Sequence, residues 1–341
     1  MKEPESSISN WKSLYDAAVE FKGIACWDWM LDSDVFGVQN PANGEIGYCC
    51  VMGHLGEHFA LGVYLGTEGL ETYLKIQNRE ITEDDIEAFM SQKCLMASFE
   101  DRDALSEEDR KIIKRLGLRF RGRNQWPLFR KYQPGYPPWY LAKDEAEYLA
   151  LALRQAIEVS LRFREDPDIL IHRKRNHYLV RVPRKTDGRW QWRDEWLKPA
   201  PVEESKIMVP PINEVRLQRI KKTIKRRGGT WEADFFFSPT PVREGKERPY
   251  YPYAAIYVDS YSGLILHADM VKPTEHTTEF PNSVMGLIEN VGMRPNEILV
   301  RKEEAFELLK LIASRLDINL KLVKRLKMLE HVQASMFQFF C

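Results

Sequence analysis

Two aspartates stand among apolar, strand-like runs between Trp231 and Pro273, where the chain reads WEADFFFSPTPV and then, past a charged turn, PYYPYAAIYVDSYSGLILHADMVKP. They are Asp234 and Asp259. Carboxylates that converge from neighbouring strands can hold Mg²⁺, a hard cation that takes oxygen ligands in octahedral array. A pair of such ions about 3.5–4 Å apart carries phosphoryl transfer, the chemistry of a nuclease-type core. Asp259 also has a simpler role open to it, because Asp ahead of Ser and Gly in Asp259-Ser260-Tyr261-Ser262-Gly263 is ordinary hairpin-turn chemistry.

A second set of reactive side chains comes early: Cys49, Cys50, His54, Glu57 and His58. Zinc sites use paired spacings such as CxxC on a defined scaffold. Adjacent strand residues point to opposite faces, so Cys49 and Cys50 are poorly placed to share one ion. We expect buried cysteines and turn residues here, with no metal. A Cys–His nucleophile from the same set lacks a third orienting group and an oxyanion loop. The glycines from Gly44 to Gly69 include neither GxGxxG before a helix nor GK[ST], which argues against a phosphate cradle.

Basic and aromatic side chains interleave in residues 119–140, which include Arg121, Arg123, Trp126 and Arg130, and again in residues 172–198. A basic helix adds Lys221, Lys222, Lys225 and Arg226. Cations for phosphates and rings for base stacking are what a single-stranded nucleic-acid groove uses. The competing reading is a solvated basic face or an interdomain contact. Lys plus Arg equals Asp plus Glu at 50 each, so global charge gives no pull toward nucleic acid and the second reading is preferred.

The elements that must position these residues follow from hydrophobic period and turn chemistry. Ser9 and Asn10 are expected to cap a helix through Trp11, Leu14, Tyr15, Ala18 and Phe21, ending near Gly23. Asn43-Gly44 between VFGVQN and IGYCCVMG predicts a hairpin, with FALGVYLG as a third strand. Helices are expected from Thr67, from Thr82 to Met90, from Ser106 to Gly117, and from Asp144 to Arg164; CLMASFE reads as a strand and the proline-rich 119–140 as an ordered loop. A hairpin closed by Asp187-Gly188 follows. Asn213 caps a helix to Arg227, after which three strands precede helix 278–291, strand EILVRK, helix 303–316, strand INLKLVK and helix 327–340.

At 341 residues with 44% hydrophobic and 29% charged side chains, the chain has material for two cores. Prolines 199, 201, 210 and 211 suggest a linker at 201–211 between an N-terminal α+β domain (1–200) built on an antiparallel sheet and a mixed α/β domain (212–341). The polar N-terminus lacks a signal-peptide core and no apolar run has membrane-spanning length. Five scattered cysteines without CxxC spacing point to free thiols in a cytoplasmic setting.

From about residue 215 onward the order and local wording resemble the catalytic core of retroviral integrases and transposases, a ribonuclease-H-like fold. Trp231-Glu232-Ala233-Asp234 matches the strand that carries that family's first acid, and Asp259 to Gly263 its Asp-x-x-Ser-Gly hairpin. Pro295, the strand Ile298 to Val300 and Phe306 fall in step with the segment bearing the second acid, but Arg301 stands at the acid's position. Glu330 is the rough counterpart of the third acid, and Glu303 or Glu304 could substitute for the second. The resemblance thus implies a degenerate core and a non-catalytic binding or scaffold protein, whose partner is a protein or its own copy ahead of nucleic acid, with no membrane. The alternative it implies is a Mg²⁺-dependent nuclease or phosphoryl-transfer enzyme using Asp234, Glu303, Glu304 and Glu330. The segment GYCCVMGxxGEHFALxVYLGxEGL is in addition similar to one in bacterial two-domain proteins, and implies no activity.

Overall fold

The computed structural model describes residues 8–80, 90–171, 174–186, 189–201, 211–245 and 247–340. The chain divides into two compact units, Met1–Val202 and Glu203–Cys341. Together the described residues form a mixed α/β protein with two sheets and eight helices.

The first unit is organised on an eight-stranded sheet in the order β6-β5-β4-β3-β2-β1-β7-β8. These strands are β1 (Phe36–Gln39), β2 (Ile46–Met52), β3 (Ala60–Leu65), β4 (Cys94–Glu100), β5 (Trp126–Gln133), β6 (Tyr136–Trp139), β7 (Tyr178–Thr186) and β8 (Arg189–Leu197). Neighbours are antiparallel except β1 and β7, which run parallel. Helices α1 (Ile8–Ile24) and α4 (Lys143–Glu165) pack on one face, where Leu14, Phe21, Leu149 and Leu153 meet Cys49, Val51, Val63 and Leu95. On the other face α2 (Gly66–Gln77) sets Leu70 and Tyr73 against Tyr48, Cys50, Tyr64 and Cys94. The period of two in β2 therefore sends Cys49 and Cys50 into different cores. Burial pushes both thiols well up from the ordinary cysteine range. Helix α3 (Glu107–Arg115) starts on a reciprocal cap between Ser106 and Asp109.

Several expectations are corrected. Ser9 and Asn10 lie inside α1 rather than capping it. Residues 126–133 and 136–139 are strands and not loop: β5 pairs with β4 from Glu100 opposite Trp126 to Cys94 opposite Tyr132. Its prolines are tolerated because Pro127 lies beyond the stretch of β5 that pairs with β6, while Pro137 and Pro138 lie on the edge strand itself. The expected helix from Thr82 and the Asp187-Gly188 turn lie outside the described residues, as does most of the expected linker.

The second unit has a five-stranded sheet in the order β11-β10-β9-β12-β13. Here β9 (Thr230–Phe237), β10 (Tyr253–Asp259) and β11 (Ile265–Val271) are antiparallel, whereas β12 (Glu297–Val300) and β13 (Asn319–Leu322) run parallel with β9. Central β9 is buried on both faces, and its sequence TWEADFFF places two acids, Glu232 and Asp234, in that buried strand. Its odd-numbered residues Trp231, Ala233 and Phe235 meet α5 (Glu214–Thr223), α6 (His276–Val291) and α7 (Glu303–Arg315). Its even-numbered face, with Phe236, meets Leu326 and Leu329 at the start of α8 (Lys327–Phe340). Asn213 caps α5 by accepting from the Arg216 N–H at 3.0 Å, and the helix ends at Thr223 instead of reaching Arg227. No described helix is long and apolar enough to cross a membrane.

Two glycines in helices should respond oppositely to alanine. A Cβ on Gly69 in α2 would lie 2.7 Å from the Lys93 carbonyl oxygen and 2.9 Å from the Tyr64 carbonyl carbon, both backbone atoms that cannot swing aside. A Cβ on Gly23 in α1 would meet nothing within 4 Å. Gly23→Ala should therefore raise stability by up to about 1 kcal/mol through helix propensity, whereas Gly69→Ala should lower it by roughly 1–3 kcal/mol. Denaturant titration of the two variants checks the sign.

Candidate functional site

The acids of the second unit gather around β9. Asp234 and Glu232 share its even-numbered face, the one turned to α8, and both are buried, Asp234 completely. Parallel pairing sets Leu299 of β12 opposite Glu232. Two residues further along the same register, just beyond the end of β12, the chain reaches Arg301. Its guanidinium Nη2 lies 2.5 Å from Asp234 Oδ2. Lys302 turns back over the same strand and donates to the Phe235 carbonyl at 2.8 Å. From α8, Gln333 Nε2 reaches Asp234 Oδ2 at 3.3 Å. Burial pushes the Asp234 carboxyl above the usual carboxylate range, and the Lys302 and Arg301 cations recover only part of that shift. Asp234 Oδ1 and Arg301 Nε are buried without hydrogen-bond partners among the described residues.

Glu232, which sequence reasoning did not single out, is used structurally. It accepts from Ser260 Oγ at 3.1 Å and from the Leu329 N–H at 2.9 Å. Leu329 lies in the first turn of α8, so a strand carboxylate satisfies one of the orphan donors at that helix end. The available signal was the period of two from Asp234 back to Glu232.

The remaining candidate acids do not converge on Asp234. Glu303 is exposed at the start of α7. Glu304 accepts from Tyr253 Oη at 2.7 Å and lies 2.8 Å from His276 Nε2. The other ring nitrogen of His276 is 2.6 Å from the Pro273 carbonyl. Both partners accept, an arrangement that the protonated ring, a donor at both nitrogens, satisfies in full. Burial, the largest single influence, would lower the His276 pKa and raise that of Glu304, but their hydrogen bond and mutual charge attraction, with the Pro273 carbonyl for His276 and the Tyr253 hydroxyl and Lys302 for Glu304, together outweigh it: His276 is held above its ordinary value and Glu304 below. Glu330 is engaged by Arg325, Nη2 to Oε2 at 2.7 Å. Asp259 accepts from the N–H groups of Tyr261 and Ser262 and from Ser262 Oγ at 2.7 Å, an Asx-type turn. Among the described residues no three His, Cys, Asp or Glu side chains form a group that could hold a metal ion.

The basic candidates divide between the units. In the first, Arg130 forms a double hydrogen bond to Asp109, at 3.0 and 2.6 Å, and lies over the Tyr140 ring. Trp126 is half-buried beneath Phe120 and Arg102. Arg121 and Arg123 are exposed. In the second unit Lys221 pairs with Asp317 at 2.8 Å, while Lys222, Lys225 and Arg226 are exposed.

These two units correspond to family relationships. A model described as domain of unknown function (DUF7309) matches residues 11–181, half of the chain, and the protein belongs to that family. A second domain of unknown function (DUF6930) matches residues 216–337. Comparison with curated proteins found no match. Among solved structures, a chain is similar in the cryo-EM structure of the simian T-cell lymphotropic virus intasome in complex with PP2A regulatory subunit B56 gamma. It shares 18% identity over 32% of this chain and 38% of that one, with a TM-score of 0.26. At that score the likeness fixes neither fold nor role.

Two outcomes test the electrostatics. Arg301→Met strands a buried carboxylate and should cost about 3–5 kcal/mol; adding Asp234→Asn should recover most of it, a coupling that denaturant melts of the double-mutant cycle would measure. For His276, whose folded pKa is raised, stability is present below about pH 6.5 and lost as pH rises through the folded value. For Glu304, whose folded pKa is lowered, it is present above about pH 4.3 and lost as pH falls through the folded value. The pair therefore contributes most between those limits. The parent's thermal midpoint should fall as pH rises above about 6.5, and Glu304→Gln should flatten that fall.

Proposed function

We propose that the second unit is a ribonuclease-H-like core in which an arginine has taken the place of a catalytic acid, and that the protein is a non-catalytic binding or scaffold protein. Three antiparallel strands followed by two parallel ones, with the Asp234 strand in the centre, support the fold part of this reading. The single observation that carries the functional part is the 2.5 Å contact between Arg301 and Asp234. A guanidinium there occupies a carboxylate oxygen that a metal would need and adds a positive charge beside it. The surrounding residues do not fit a Mg²⁺ pair, which requires several oxygen ligands converging at about 2.0–2.1 Å from each ion: Glu304 is bound to His276 and Tyr253, Glu330 to Arg325, and the neighbour from α8 is the amide of Gln333.

As for partners, a protein or a second copy of the chain is favoured over nucleic acid. Lys plus Arg equals Asp plus Glu, and Arg130 and Lys221, two of the cations a nucleic-acid groove would need, are engaged in ion pairs.

Calorimetric titration with Mn²⁺ and a plasmid-nicking assay with Mg²⁺ or Mn²⁺ test this reading. The parent protein should bind no metal and cut no DNA, while Arg301→Asp, which restores a second carboxylate beside Asp234, should gain Mn²⁺ binding. Metal-dependent cleavage by the parent that Asp234→Ala abolishes would establish the enzyme reading in its place.

A further inference from the structure

The two edges of the second sheet are guarded very differently. The β13 edge is four residues long and carries Lys321, paired with Glu297 at 2.6 Å. The β11 edge is seven residues long and has no lysine, arginine or proline between Ile265 and Val271. Its large apolar side chains reach solvent, Met270 at 57% exposed, Ile265 at 43%, and Leu264 and Tyr261 at the adjoining turn at 63% and 97%, while its one acid, Asp269, is paired with His267 of the same strand. Natural sheet edges normally carry a charge, a proline or a cover that blocks pairing with another chain. An edge left open and apolar is a strand-addition surface.

Backbone parity says which residues of β11 offer hydrogen bonds outward. Ser238 N–H bonds to the Pro252 carbonyl and Ser260 N–H to the Thr230 carbonyl, so even-numbered residues of β10 bond toward β9. Odd-numbered ones bond toward β11, as Asp259 N–H does to the Leu264 carbonyl. In register, Tyr253, Ala255 and Tyr257 face Val271, Asp269 and His267, whose polar backbone groups are thereby used inside the sheet. Ala268 and Met270, between them, present theirs to the open edge.

The side chains along that edge are complementary to themselves. If a second β11 runs antiparallel with the two-fold axis at Ala268, Ala268 meets Ala268 as a hydrogen-bonded pair, and the closer, non-hydrogen-bonded pairs fall on His267 and Asp269. His267 then lies opposite Asp269, and the bulge at Leu266, where the pairing with β10 shifts between His267 and Ile265, ends the regular stretch. Within one chain His267 Nε2 already lies 2.8 Å from Asp269 Oδ2, with both groups about a third exposed. The axis would therefore join two such pairs into an alternating tetrad with no like charges opposed. Moving the axis to Met270, the neighbouring position with the right parity, would instead place Val271 opposite Asp269.

We infer that the protein self-associates as a two-fold dimer through antiparallel pairing of β11 with its own copy about Ala268. Such an interface is isologous, each contact occurring twice. It uses the hairpin alone and does not depend on the role proposed for Asp234.

Light scattering on size-exclusion chromatography and sedimentation of the full chain, from about 1 to 100 μM, test it. The parent should be a dimer. His267→Asp sets like charges opposite each other twice and should weaken the dimer at least about ten-fold. Asp269→His should do the same when measured at about pH 5.5, where histidine is charged, and the exchange His267→Asp/Asp269→His should there restore affinity to within about three-fold, a rescue that only self-pairing in this register produces. Met270→Lys alters a side chain already in water in the monomer, so its thermal midpoint should hold while the dimer dissociates. A monomeric parent at 100 μM, a dimer indifferent to the single exchanges and to Met270→Lys, or a double exchange no tighter than the singles would each overturn the inference.

Discussion

A carboxylate with no exposure to water must find its compensation inside the protein, and Asp234 imposes that requirement on the second unit. Removing an ion from water costs several kcal/mol, so the fold is constrained to bring cations and donors to this point of β9. Arg301 and Lys302 arrive because β12 pairs parallel with β9 and delivers its C-terminal end there. Gln333 arrives because Glu232, two residues earlier on the same face, anchors the first turn of α8 through the Leu329 N–H. The two acids of β9 thus tie the neighbouring strand and the closing helix to the centre of the sheet.

The same device recurs in the first unit, with the charges reversed. Arg181 on β7 is buried beneath α4 and is met there by Gln155 at 2.9 Å and by Glu158, with Asp194 of β8 at 2.6 Å completing the set. Arg130 on β5 is clamped by Asp109, the residue that also closes the cap of α3. In each case a long cationic side chain bridges helix and sheet, Arg130 meeting one carboxylate and Arg181 two. Basic residues that alternate with aromatic ones in the sequence therefore include some that serve as internal fasteners. Composition alone does not separate these from solvated ones.

Much of the secondary structure was legible because local physics dictated it. The Ser106–Asp109 capping box, the Asn213 cap and the long apolar face of α4 are written in spacings of three and four residues. Residues 126–139 were misread because four prolines dominate the local signal; pairing with β4, fixed by residues some thirty positions earlier, overrides it. Within the candidate site, Asp234 stood out as an acid in an apolar strand. His276 and Glu304, 28 residues apart and on different helices, have no local signature that could have paired them.

The sequence by itself determined the period of two that sends Cys49 and Cys50 to opposite faces, the turn role open to Asp259, and the placing of an arginine, Arg301, directly after the strand EILV. Those properties depend on neighbours along the chain or on residue identity alone. Only the tertiary structure decided that Arg301 points at Asp234, that Gln333 and not Glu330 reaches it from α8, and that β11 rather than β13 is the unguarded edge. Each of these depends on strand order and helix docking, which are settled by burying apolar faces contributed from distant parts of the chain.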